Sequence, residues 1–177
     1  FPKEDNVFKI LPGSKAMRLV EEGIFKLDEV NADDLGGAVA RRYQAWENDE
    51  WIWNQARVDE FLAQSQYPLY YLDFETFMSA VPQYDNVSPY KQVCFQYSLH
   101  IQKEEGGEVE HKEFLARPEE GDPRRPFVES LLENIGTSGS IIVYNATFER
   151  TRLKELGVLF PEYLDRIQNC NMRMLDL

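Results

Sequence analysis

Residues 69–76 read Leu-Tyr-Tyr-Leu-Asp-Phe-Glu-Thr, and this stretch places two carboxylates, Asp73 and Glu75, inside an apolar strand-like run. Side chains alternate between the two faces of a strand, so Asp73 and Glu75 are predicted to share one face. Two adjacent buried anions repel each other and are costly to desolvate. A core strand would keep them only beside hydrogen-bond donors or a cation such as Mg²⁺, which prefers carboxylate oxygen. The alternative is an exposed strand end with two solvated acids.

A second stretch, residues 140–157, is predicted to be a strand followed by a helix. It reads Ser-Ile-Ile-Val-Tyr-Asn-Ala-Thr-Phe-Glu-Arg-Thr-Arg-Leu-Lys-Glu-Leu-Gly. The apolar run at 141–144 is typical of a strand buried on both faces. Asn145 is placed to cap the helix, and Gly157 to end it in the left-handed conformation. Glu149 therefore falls in the first helical turn.

Two interpretations of Glu149 are open at this point. The acid either complements the positive end of the helix dipole, a contribution of a few tenths to about 1 kcal/mol, or it is a third carboxylate of a site. In the second case the helix must leave a strand that lies next to Asp73, because its first turn would then start beside the other two acids.

The two stretches together resemble the motifs of the DnaQ-like, or DEDD, exonucleases of the ribonuclease H-like superfamily. Tyr-Leu-Asp-Phe-Glu-Thr at 71–76 resembles the first motif of that group, and Tyr-Asn-Ala-Thr-Phe-Glu at 144–149 resembles the second. With Phe-Gln-Tyr-Ser-Leu-His at 95–100 and Asp-Leu at 176–177, the chain also resembles an uncharacterised bacterial domain of unknown function found with RecB-like nuclease regions. One departure is Glu149, since the second motif usually has Asp there.

The resemblance implies hydrolysis of phosphodiester bonds from the three-prime end of DNA or RNA, with a single-stranded end as substrate. Two Mg²⁺ or Mn²⁺ ions, about 3.5–4 Å apart, hold the scissile phosphate in such enzymes. Asp73 would bridge both ions. Glu75 would bind the ion that activates water, and Glu149 would act at the second ion directly or through water.

Substrate contacts are also implied by the resemblance, at Asn145, Thr76, Phe148 and Arg150. Arg150, Arg152 and Lys154 share one predicted helix, where they would either meet a nucleic-acid backbone or form a solvated helix face. The third motif of the group, a Tyr or His followed by Asp, is expected beyond residue 177. The chain is therefore expected to be an incomplete exonuclease domain that binds metal weakly and cuts poorly.

The order of predicted elements agrees with a ribonuclease H-like fold. Gln92–Gln102 alternates strictly, with Cys94 on its polar side, and predicts a strand. A Gly-Gly turn at 106–107 and the run 109–116 predict its hairpin partner. A helix is expected from 122 to about Gly136, followed by a strand parallel to the first. The fold class is therefore α/β, with a mixed sheet flanked by helices in residues 68–177.

The resemblance implies that residues 1–67 form a helical connector from an upstream nuclease-like region of the same polypeptide. Three short helices are expected, on 14–22, around Tyr43 and around Phe61. The tryptophans at 46, 51 and 53 would either stack bases or anchor these helices to a neighbouring domain.

Composition sets the cellular expectations. The formal net charge of −12 disfavours indiscriminate nucleic-acid binding, and no stretch has the length and hydropathy of a membrane span. Cys94 and Cys170 have no zinc-ligand spacing and are expected to be structural thiols in a reducing cytoplasm. His100 and His111 are expected on the strand surface and in the hairpin.

A competing hypothesis is that the domain has no catalytic role and serves as a nucleic-acid-binding or assembly module of a larger nuclease. Glu149 in place of Asp and the acidic composition both favour it. Asp176 is expected to be a structural acid at a strand end rather than a metal ligand.

Overall fold

The computed structural model describes residues 3–51 and 53–177. The chain divides into two compact units, residues 1–58 and 59–177, while the sequence predicted a boundary between 67 and 68. None of the helices described is long and apolar enough to cross a lipid bilayer.

The first unit contains two of the three predicted helices and the first turn of the third. Helix α1 spans Gly13–Glu21, α2 spans Gly37–Asn48, and α3 begins here and spans Gln55–Gln64. The core of this unit consists of buried apolar side chains from α1, from α2, from the segment before α1 and from the turns between the two helices, namely Val7, Leu11, Ala16, Leu27, Val30, Leu35 and Tyr43.

Trp46 packs against this core, and its indole Nε1 donates a hydrogen bond to Asp5 Oδ1 at 3.0 Å. Trp46 therefore stabilises the first unit. Trp51 and Trp53 differ, because 92% and 69% of their surfaces are exposed.

The second unit is built on a five-stranded mixed sheet, which confirms the predicted α/β class. Its strands are β1 (Leu69–Met78), β2 (Gln92–Gln102), β3 (Val109–Leu115), β4 (Ser140–Val143) and β5 (Met174–Asp176), in the order β3-β2-β1-β4-β5. Strand β1 is central, antiparallel to β2 and parallel to β4. The edge strand β5 ends at Asp176, which agrees with the strand end expected there, whereas its parallel pairing with β4 was not predicted.

The three helices of this unit pack against one face of the sheet. They are α4 (Arg124–Asn134), α5 (Ala146–Leu159) and α6 (Leu164–Met172). Their apolar residues join the strand residues of one buried cluster, whose β1 members are Tyr70, Leu72 and Phe74. Burial of a side chain of this size contributes about 1.5–3 kcal/mol, so this cluster is the main source of stability in the unit.

A β-bulge in β2 corrects the predicted alternation. Glu75 pairs with Gln96 and Thr76 with Cys94, which leaves Phe95 as an extra residue on β2. Because a bulge reverses the alternation beyond it, Cys94 lies in the core rather than on the polar face, and Phe95 leaves the core and contacts the Phe77 ring.

The predicted end of α5 at Gly157 is wrong. The helix continues to Leu159, and Gly157 is buried inside it. A Cβ atom at this position would lie 3.1 Å from Leu164 Cδ1 and 3.5 Å from Ile167 Cδ1. Glycine is therefore present because α6 approaches closely, not because the backbone leaves the helical region.

Arg173 and Gly139 fix the loop between α4 and β4. The Arg173 guanidinium donates to the carbonyl oxygens of Gly136, Ser138 and Gly139 at 2.6–2.7 Å. Gly139 has φ +85°, and a Cβ atom there would lie 2.1 Å from the Pro68 carbonyl oxygen. This close approach brings the start of β4 beside the start of β1.

We expect Gly139→Ala to destabilise the second unit by about 3 kcal/mol or more, because it combines an unfavourable φ with a backbone clash. Gly106→Ala is the matched control, since Gly106 also has positive φ but its Cβ would meet nothing within 4 Å. The control should lose only about 1–2 kcal/mol. Urea unfolding followed by circular dichroism measures both, and equal losses would contradict the steric argument.

Candidate functional site

Asp73 and Glu75 lie on the face of β1 opposite the helices. Tyr71, Asp73 and Glu75 are exposed, while the alternating residues Leu72 and Phe74 are buried. The two acids share a face, as predicted, and of the two alternatives left open by the sequence the structure shows the exposed, solvated pair. The described helices of this unit cover the other side of the sheet, so water solvates both carboxylates. The pair therefore needs no cation for its stability.

Glu149 is the buried acid of this region. It lies in the first turn of α5, and only 2% of its surface is exposed. Strand β4 runs parallel beside β1 and α5 begins three residues after β4 ends, so the helix starts next to β1. The Glu149 Oε2 atom has no hydrogen-bond partner among the described residues. An unpaired buried carboxylate oxygen is energetically costly and is a common sign of a missing proton or cation.

The electrostatic environment of Glu149 favours its neutral form. Burial raises the pKa of the Glu149 carboxyl, and the negative charges of Asp73 and Asp176 raise it further, while its own backbone amide opposes the shift. These interactions place Asp73 and Asp176 within electrostatic range of Glu149. The two carboxylates that raise the pKa of Glu149 are therefore Asp73 and Asp176, and Glu75 is not among them.

The α5 N-terminus is held by Asp176 and not by the predicted cap. Asn145 occupies the N-cap position but makes no side-chain capping hydrogen bond. Instead, Asp176 Oδ1 accepts a hydrogen bond from the Ala146 backbone N–H at 3.0 Å. This bond ties β5 to the start of the helix and agrees with the structural role predicted for Asp176. The Asn145 side chain is left exposed beside Glu149.

Three of the predicted substrate-binding residues have contacts within the protein. Thr76 is half-buried and pairs with Cys94 on β2. Phe148 packs against the core, with the Arg152 guanidinium 5.6 Å from its ring centre. Arg150 donates to the carbonyl oxygens of Met174 at 2.7 Å and Asn171 at 3.3 Å. The Arg150 guanidinium is therefore engaged in holding α5 against the end of the chain.

The stretches of chain that the structure describes hold no group of three His, Cys, Asp or Glu side chains arranged to bind a metal ion. Both cysteines are buried free thiols. Burial raises the pKa of the Cys94 thiol to about 12 and raises that of Cys170 as well. Neither is a thiolate at neutral pH, which agrees with the expectation of structural thiols.

Two histidines lie on the same sheet face as Asp73, as the alternation of β2 predicts. His100 and His111 are cross-strand partners whose rings stack with centres 4.4 Å apart. The Ser98 Oγ atom lies 3.1 Å from His111 Nε2. Ser98 is in turn the cross-strand partner of Asp73. The acids therefore border a polar strip of the sheet.

An aromatic cavity at the far end of β1 was not predicted. Its rings belong to Phe77, Tyr84 and Phe95. The predicted alternation assigned Phe95 to the core, and Phe95 was therefore not predicted to line a cavity. The only available signal was the position of Tyr84 in the loop rich in Pro, Asn and Ser that follows β1.

Comparison with known proteins gives relatives that are described as uncharacterized. The chain is 31% identical over 166 residues to the uncharacterized protein UU173 of Ureaplasma parvum, which covers 86% of this chain and 24% of that protein. It is 29% identical over 116 residues to a Mycoplasma pneumoniae protein described as an uncharacterized MG366 homolog, over 60% of this chain and 17% of that protein. The chain thus spans a quarter or less of the length of these relatives. No solved structure matches it.

A family model matches most of the second unit. Residues 70–177, which contain the whole sheet except the first residue of β1, match the domain of unknown function DUF2779. Asp73, Glu75, Glu149 and Asp176 all fall within the matched residues. The chain therefore belongs to the DUF2779 family.

Proposed function

We propose that this domain is the nuclease domain of a metal-dependent exonuclease of the DnaQ-like type, acting on the three-prime end of a single strand of DNA or RNA. The observation that carries the proposal is the Glu149 carboxylate. It is buried, lacks a partner for Oε2, and lies within electrostatic range of Asp73 at the start of α5. A purely structural acid at a helix N-terminus would be solvated or would accept a hydrogen bond with both oxygens.

A divalent cation fits this donor set in part. Mg²⁺ and Mn²⁺ prefer carboxylate oxygen, and a cation beside Asp73 and Glu149 would satisfy Oε2 and remove the repulsion between the two anions. Asp73, Glu75 and Glu149 are the residues that would hold two such ions. When bound, the ions supply charge stabilisation for the phosphoryl oxygens and lower the pKa of water.

The roles of the surrounding residues follow from their contacts. Asp176 fixes the start of α5 through the Ala146 amide, so Glu149 is held on a rigid element rather than a loop. The polar Asn145 side chain is exposed at the start of α5 and makes no capping hydrogen bond, which leaves it available to a nucleotide. Asp73 and Glu75 remain open to solvent, so an incoming strand end can reach them.

The net charge supports a requirement for metal. A chain with a formal net charge of −12 repels phosphate at long range, and cations bound at the carboxylates would reverse that repulsion locally. Cys94 and Cys170 are free thiols, as expected of a protein that acts in a reducing cytoplasm. The proposal also includes an upstream nuclease-like region as partner in the same polypeptide, and a third motif, a Tyr or His followed by Asp, after residue 177.

The second candidate function is a non-catalytic nucleic-acid-binding or assembly module. It is favoured by one observation, that no three potential ligands converge in the portion of the chain with described coordinates. The two candidates differ in whether Asp73 binds metal.

We expect this chain to bind Mn²⁺ weakly, with a dissociation constant above about 10 μM, and Asp73→Asn to weaken binding at least ten-fold because one carboxylate ligand is lost. Glu113→Gln is the matched control: Glu113 is exposed and lies on the same sheet face, on the far side of Ser98 from Asp73. Calorimetric titration of the three proteins measures this. Equal affinity in wild type and Asp73→Asn would favour the module.

We expect slow shortening of a five-prime-labelled single-stranded oligonucleotide from its three-prime end in Mn²⁺, lost to background in Asp73→Asn and retained in Glu113→Gln. A chelator should abolish the activity, since the carboxylates alone cannot activate water. Gel analysis of DNA and RNA substrates gives the product ladder. Shortening that survives Asp73→Asn would indicate a contaminant and would count against the proposed site.

We expect Glu149→Gln to stabilise the metal-free chain at neutral pH and to have progressively less effect as the pH falls. The folded-state pKa of Glu149 is raised, so the folded protein holds a proton that the unfolded chain releases, and wild-type stability falls as the pH rises above the ordinary glutamate range. Thermal unfolding between pH 4 and 8 measures the difference, with the exposed Glu133→Gln as control. A pH-independent difference would contradict a raised pKa of Glu149 in the folded chain.

A further inference from the structure

The aromatic cavity at the far end of β1 has a volume of about 250 Å³. Phe77 forms its centre, with ring centres 6.3 Å from Tyr84 and 6.0 Å from Phe95, and both neighbouring rings are tilted steeply against it. The remaining lining comes from Gln83 and from the connection between β3 and α4, namely Ala116, Arg117, Pro118, Gly121 and Pro123.

The cavity exists because of the bulge in β2. Phe95 has no partner on β1, and its side chain contacts Phe77 instead of entering the core. Its backbone carbonyl still accepts a hydrogen bond from the Ala116 amide at 2.8 Å, so the wall of the cavity stays attached to the sheet. Bulges commonly redirect a side chain beside a functional site.

The cavity lies next to the carboxylates of the proposed site. Phe77 follows Glu75 by two residues on the same face of β1, which corresponds to roughly 7 Å along the strand. This separation is about the span of one nucleotide in an extended single strand, so a phosphate near Glu75 leaves its neighbouring base near Phe77.

The polar groups of the cavity suit a nucleotide. Arg117 makes no ion pair among the residues described, although Glu119 and Glu120 follow it in the chain. Asp122, the other nearby acid of that connection, is already paired with Arg124 at 2.6 Å. Arg117 therefore offers a free guanidinium, and the exposed Gln83 offers an amide that can pair with a base edge.

We propose that this cavity binds an unpaired nucleobase of the substrate strand, stacked against Phe77 and Tyr84, with Arg117 beside the adjoining phosphate. The inference rests on the proposed exonuclease function and deepens it, because it selects a strand end whose bases are splayed from any duplex. Stacking on aromatic side chains tolerates every base. At 250 Å³ the cavity is below the range of about 300–1,000 Å³ that holds drug-sized ligands, which suits one ring system.

The test compares adenosine monophosphate with ribose 5-phosphate, which lacks the base, by NMR titration of the 177-residue chain in the presence and absence of Mg²⁺. Tyr84→Ala and Phe77→Leu should weaken adenosine monophosphate binding about ten-fold and leave ribose 5-phosphate unchanged. Tyr90→Ala is the control, because Tyr90 is an exposed tyrosine of the same loop that does not line the cavity. Phe77→Leu keeps the cavity apolar and so separates loss of the ring from loss of the fold.

Three outcomes overturn the pocket: no adenosine monophosphate binding, equal binding of the two probes, or binding that neither variant weakens. Asp73→Asn separates the two proposals. If base-dependent binding survives while Mg²⁺ has no Asp73-dependent effect, the pocket stands and the exonuclease proposal fails. If Mg²⁺ acts through Asp73 while both variants bind adenosine monophosphate normally, the metal site stands and the pocket is wrong.

Discussion

The pleat of β1 is the constraint on which the rest of the second unit depends. This strand pairs with β2 along its whole length and with β4 over its first three residues, so its position and the direction of its side chains are fixed from both sides. Alternation sends Leu72 and Phe74 to the helices and Asp73 and Glu75 to the open side. A shift of one residue in either pairing would bury the acids and expose the core.

The parallel pairing of β1 with β4 determines where the buried charge lies. Because β4 runs alongside β1, the helix that follows it must begin near Asp73, and Glu149 occupies its first turn. The position opposes stability, since burial and two neighbouring anions disfavour its ionised form. Functional sites often retain such unfavourable groups. The Asp176 bond to the Ala146 amide, the Arg150 bonds to the Met174 and Asn171 carbonyls, and the core beneath hold α5 in place despite this cost.

The spacing of apolar residues along the sequence predicted the elements that pack one face against one neighbour. The alternation in β1, the hairpin of β2 and β3, and the apolar side of α4 were all predictable, because each buries one face against one neighbour. Two features depend on distant packing and were missed: the bulge at Phe95 and the continuation of α5 through Gly157. The same limit applies to the site. Sequence placed Asp73, Glu75 and Glu149 in one region, but it could not show that two of them are solvated and the third buried.

The bulge also divides β2 into two stretches: before it the even-numbered residue Cys94 faces the core, and after it the odd-numbered residues do. Residues 92–94 obey one phase and residues 96–102 the other, with Phe95 as the insertion between them. Replacing a side chain within either stretch leaves this phase intact, whereas removing Phe95 would bring both stretches into a single alternation in which Cys94 still faces the core, and would take away the ring that lies against Phe77. The core therefore does not require the inserted residue, and its consequence lies at the aromatic cavity: a related chain without it would keep the packed face of β2 and lose one ring of the cavity wall.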